Sequence, residues 1–171
     1  MIVKIDDTKY YMDTSALVRI FRFYPKVLID PIWNKLESLF KSGQVSSHML
    51  VYDEITTSSK KPDLLSKKVS PLRGYFESQK YNQVKIVADI IGKFPGLIDP
   101  TREKEQADPW LIAIALEYKN NNPTKKLYII SEESESKPFK IPAVCSYYRI
   151  EHINLEGLWK QLGMTFSANI Q

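Results

Sequence analysis

Cysteine occurs once in the 171 residues, at Cys145, so no internal disulfide can close and a reducing cytoplasm is the expected setting. Histidine occurs twice, at His48 and His152, without metal-ligand spacing. Zinc held by histidine and cysteine is therefore not expected, and these three residues read as packing or structural groups. Six glycines and no biased tract argue against disorder, a collagen-like chain or a repeat array. Neither a P-loop nor a dinucleotide fingerprint occurs, which removes the glycine-rich nucleotide-binding classes. No apolar run approaches the roughly 20 residues that a membrane span needs, so no membrane partner is expected. The opening, Met1-Ile2-Val3-Lys4-Ile5-Asp6-Asp7, carries acids where a signal peptide would carry its apolar stretch, and none is expected.

What is present is ordinary for a globular chain: 43% hydrophobic and 26% charged residues. That is enough material for one buried core, and a single domain over residues 1–171 is expected, with a helical middle section at about 60–95. The formal net charge is +4, which suits a polyanionic partner and equally suits a lysine-rich soluble surface. Basic residues gather around Pro62 as Lys60, Lys61, Lys67 and Lys68, and again at Arg102, Lys104, Lys125 and Lys126. The first group lies in a polar stretch suited to a phosphate backbone, without reading sequence.

Short apolar runs alternate with helical periodicity. Lys9 to Met12 reads as a buried strand, and Asp13-Thr14-Ser15 opens a helix with Thr14 and Ser15 as cap residues. Pro31 is expected to begin a second helix, with Ile32, Trp33, Leu36, Leu39 and Phe40 at helical spacing. Ser47 is expected to cap a third helix after the brief strand Gln44-Val45-Ser46. Asp108-Pro109 starts an almost wholly apolar helix, which must be buried. Leu127 to Ile130 is the clearest buried strand, Ile141 opens a short helix, His152 to Leu155 is a last strand, and Leu158 to Leu162 a last helix. The pattern predicts an α/β fold: a three-layer α/β/α sandwich around a mostly parallel sheet of four to five strands.

The positions of the acids carry more information than their number. Asp13 follows a strand, and Glu132 and Glu133 follow another, so both lie at the sheet edge where open α/β folds build sites. Asp108 begins the apolar helix, as a helix cap or as a ligand. Glu54 shares the inward face of Leu50 and Val51, where a carboxylate needs a partner, either a basic side chain or a cation. Two unit charges about 4 Å apart repel by roughly 4 kcal/mol at an effective dielectric near 20. Converging acids therefore require compensation, and oxygen-only donors select Mg2+ or Mn2+.

Four segments, Met12 to Leu17, Val51 to Ile55, Ala107 to Ala115 and Ile129 to Glu133, resemble the PIN-domain nucleases, in that family's order. The resemblance spans about Tyr10 to Leu162, and its most specific motif is Ala107-Asp108-Pro109 followed by Ile112-Ala113. It implies a metal-dependent endoribonuclease cutting single-stranded RNA, similar to VapC-type toxins, with Asp13, Glu54, Asp108 and Glu133 holding one or two Mg2+ or Mn2+ ions. Glutamate stands at the fourth position where the family usually has aspartate, and Glu132 is the alternative fourth ligand. Ser15, with Thr14, would support the first acid. An antitoxin protein and a homodimer are implied partners, with Trp33, Phe40 and Trp159 as a candidate apolar interface if exposed. Lys60, Lys61, Lys67 and Lys68 would guide the RNA, while Tyr75, Phe76 and Tyr81 read as core residues or as stacking platforms for bases. The competing expectations are a non-cutting PIN-like binding module and a structure-specific DNA nuclease.

Overall fold

A computed structural model describes residues 7–58 and 60–166. The acidic opening over residues 1–6, and Ser59 of the basic stretch, lie outside the described residues. In chain order the elements are β1 (Lys9–Met12), α1 (Thr14–Phe23), α2 (Lys26–Lys41), β2 (Val45–His48), α3 (Met49–Thr57) and α4 (Leu64–Val69). A 3-10 stretch (Ser70–Tyr75), β3 (Phe76–Glu77) and a second 3-10 turn (Tyr81–Gln83) lead to α5 (Val84–Lys93). Then come a third such turn (Pro95–Leu97), α6 (Ala107–Asn121), β4 (Leu127–Ile130), α7 (Ile141–Tyr147), β5 (Glu151–Ile153) and α8 (Leu155–Gln161).

The five strands form one wholly parallel sheet in the order β3-β2-β1-β4-β5. Tyr10 of β1 stands between Val45 of β2 and Tyr128 of β4. The chain runs outward from β1 through β2 to β3, then returns to lay β4 against the free side of β1. That reversal opens a crevice beyond the carboxyl ends of β1 and β4, the usual place for a site in an open parallel sheet.

Side chains alternate across each strand, so the sheet feeds two cores. Tyr10, Met12, Val45 and Ile130 pack with Leu17, Ile20, Leu36, Phe40, Leu65 and Leu158 from α1, α2, α4 and α8. Tyr11, Leu127 and Ile129 pack on the opposite face with Ile90, Leu111, Ile114 and Val144 from α5, α6 and α7. The architecture is the α/β/α sandwich that the patterning predicts. Among the described residues, no helix is long and apolar enough to cross a membrane.

Several local expectations are corrected. α2 begins at Lys26, and Pro31 lies inside it on an exposed position. Burial of Ile29 and Ile32 on the inner face holds both halves together. The cap of α3 is His48, whose Nδ1 accepts from Leu50 N at 3.1 Å, while Ser47 Oγ donates to Met12 O at 2.6 Å. The helical middle section contains the short strand β3, paired with Ser47 and His48 of β2. Phe76 is buried and stacks on Phe40 at 5.4 Å, so it is a core residue and no platform for a base. Trp33, Phe40 and Trp159 are 2%, 1% and 3% exposed, which removes them as a dimer interface. α8 starts at Leu155, earlier than its apolar spacing suggested, because Asn154 Oδ1 caps it by accepting from Gly157 N at 2.9 Å.

Candidate active site

Asp13 is the first residue past β1. Its N–H donates to Ile130 O at 2.9 Å, which locks the strand end to β4. The Asp13 carboxylate caps α1: Oδ2 accepts from Ser15 N at 3.1 Å and from Ser15 Oγ at 2.6 Å. The cap is thus Asp13 itself, with Ser15 as its donor. Ser15 Oγ also accepts from Glu132 N at 3.0 Å, so one hydroxyl ties the exits of β1 and β4 together. Asp13 is only 4% exposed, and its Oδ1 is buried with no hydrogen-bond partner among the described residues. Leaving a buried acceptor unsatisfied costs about 1–3 kcal/mol, and more when it is charged.

Glu54 projects from α3 toward the same crevice. Thr14 Oγ1 donates to its Oε2 at 2.5 Å, and Ala107 N reaches its Oε1 at 3.4 Å. No lysine or arginine forms an ion pair with it among the described residues, which removes the basic-partner alternative. Thr14 therefore supports the second acid, and Ser15 the first.

Asp108 lies inside the first turn of α6, with Gln106 at the cap position. Burial first, then the charges of Asp13, Glu133 and Glu54, push its carboxyl up to about 8, and the positive charge of Lys140 opposes them. Burial likewise pushes Asp13 up to about 6, against the two Ser15 hydrogen bonds and with help from Glu133 and Glu54. The charge of Asp13 is thus one of the causes that raise Asp108. Four carboxylates from four separate segments thus share one field.

Glu133 reaches that field but is restrained. Its Oε1 accepts from Lys140 Nζ at 3.0 Å and its Oε2 from Ile141 N at 2.9 Å, at the start of α7. Glu132 turns the other way, as neighbours on an extended segment do. Its Oε1 accepts from Leu155 N at 2.8 Å and its Oε2 pairs with Arg19 Nε at 3.2 Å, so it is committed to α8 and α1. Among the described residues, no three acidic, histidine or cysteine side chains form a ready-made metal cage.

The basic residues expected at the site are elsewhere engaged or simply exposed. Lys60, Lys61 and Lys67 face solvent, and Lys68 pairs with Asp30 at 2.9 Å. Glu54 borders two clefts. One, of about 410 Å³, is lined by Thr14, Arg22, Ser58 and Asp63 among others. The second, of about 650 Å³, includes Asp53, Arg102, Lys104 and Glu105. Lys140 is the member of this charged cluster that sequence reading missed; its signal was a lysine at the cap position of α7, a few residues past the acid pair.

Fold and site together define an open, all-parallel α/β protein with carboxylates gathered at its topological switch point. The profile of the family described as "Domain of unknown function (DUF4411)" matches residues 10–166, and the chain belongs to that family. No curated protein matches the chain.

Proposed function

We propose that the chain is a metal-dependent endoribonuclease that hydrolyses single-stranded RNA at the pocket of Asp13, Glu54, Asp108 and Glu133. The observation that carries this reading is the buried, unpartnered Oδ1 of Asp13 inside a field of like charges acting on Asp13 and Asp108. Such a group is stable when a cation offsets it, and an all-oxygen donor set suits Mg2+ or Mn2+. The residues fit such an ion: Asp13 and Asp108 would hold it, with Glu54 beside them. When bound, a divalent ion supplies an acidified water and offsets charge on the phosphate oxygens.

The chain's own residues do the positioning. Ser15 fixes the Asp13 rotamer, and Thr14 fixes Glu54. Lys140 brings positive charge to the edge where negative charge would accumulate on a phosphate under attack. The resemblance to PIN-domain nucleases supports the substrate class, and a protein inhibitor of the antitoxin type and a cytoplasmic location belong to the same reading.

The test is cleavage of a mixed RNA pool, beside single-stranded DNA, by purified protein in Mg2+ or Mn2+ and in EDTA. Asp13→Asn and Asp108→Asn are each expected to lower the rate by about 100-fold or more. Undiminished cleavage by both variants rejects the site, and preferential DNA cleavage rejects the substrate. A second reading, a module that binds nucleic acid without cutting, is favoured by the engagement of both Glu133 oxygens. It predicts RNA binding with no Mn2+ heat in calorimetry.

A further inference from the structure

Each oxygen of Glu133 already accepts a hydrogen bond, one from an ammonium and one from a backbone N–H at the start of α7. The Lys140 ammonium pairs with Glu133 at 3.0 Å, and its charge also acts on Asp108 and Asp13. Its positive charge opposes the field that raises Asp108. By contrast, Asp13 Oδ1 is buried and has no hydrogen-bond partner among the described residues. The acids are therefore unequally served: Glu133 has an ammonium partner of its own, and Asp13 Oδ1 has none among the described residues.

We propose that Lys140 stands in for a second divalent ion, so that the pocket takes a single Mg2+ or Mn2+ at its Asp13–Asp108 end. This rests on the metal-dependent reading of the pocket but goes beyond it. An ammonium on Glu133 repels a second dication and competes with it for the Glu133 carboxylate. It also leaves Glu133 as a positioning residue, one that holds Lys140 over the pocket.

The test is Mn2+ titration by calorimetry, with bound Mn2+ counted by electron paramagnetic resonance, on the full chain. Wild type and Lys140→Arg are expected to bind one Mn2+, and Lys140→Met two. Lys140→Gln serves as a second neutral variant should the methionine disturb folding, which circular dichroism reports. Two ions in wild type overturn the proposal while leaving the metal-dependent reading intact. One ion in both neutral variants, at unchanged affinity, does the same. Absence of Mn2+ binding in every protein, neutral variants included, overturns both.

Discussion

At Asp108 the balance of forces is open to direct measurement. Its carboxyl is buried among Asp13, Glu133 and Glu54, and its raised proton affinity means that the folded chain holds protons which the unfolded chain has released. Stability then falls as pH rises through the folded value. Both histidines work in the opposite sense, because burial lowers them from 6.5, and their contribution is complete above that value. The clean window is therefore from 6.5 to about 8, where the metal-free protein should lose stability with rising pH. Thermal melts in EDTA check this, and Asp108→Asn should flatten the slope and raise Tm by several degrees, given that 1 kcal/mol shifts a domain of this size by about 2–4 °C. Ser15→Ala tests the support rather than the ligand. It removes a charged hydrogen bond to Asp13 and the link to Glu132 N, so urea unfolding should show a loss of about 1.5–3 kcal/mol. Mn2+ affinity should fall by about 10–100-fold, the usual consequence of loosening a ligand's partner.

Among the elements, α3 shows how a buried side chain can replace a conventional cap. His48 is fully buried, stacks on Trp110 at 5.6 Å, and accepts the Leu50 N–H through Nδ1. His48→Ala should cost about 1–3 kcal/mol by losing both the cap and the aromatic pair. His48→Asn should recover part of that, since its amide oxygen can accept the same N–H; equilibrium unfolding separates the two. Sequence reading chose Ser47 because serine is the commoner cap, and no local pattern says that Ser47 Oγ is spent on Met12 O. The same limit explains other misses. β3 is two residues long and has no periodicity to detect. The partnership of Lys140 with Glu133 had only a weak signal, a lysine at the start of α7, and the loop that brings the two together has no periodicity to read. By contrast β1, β4 and α6 were legible, because continuous apolar runs and a buried helix follow from burial alone. The split between Glu132 and Glu133 was legible in principle, since adjacent residues of an extended segment face opposite ways.

Across the whole molecule, topology brings distant acids within one another's electrostatic reach. Asp13 and Glu133 follow the two strands that flank the switch point, and Glu54 and Asp108 arrive on the helices that cross the same edge. A like-charged pocket of this kind weakens the metal-free fold, so a cation that relieves it must stabilise the chain. Binding to the folded state alone contributes roughly 2.7 kcal/mol at a hundred times Kd. For a domain of this length that corresponds to a Tm increase of about 5–10 °C. The increase should grow between pH 6.5 and about 8, because the competing protons leave Asp108 over that range. EDTA should reverse it, and Asp13→Asn should abolish it while leaving far-ultraviolet circular dichroism unchanged. A Mn2+-dependent Tm shift of equal size in Asp13→Asn would place the ion somewhere other than the end of β1.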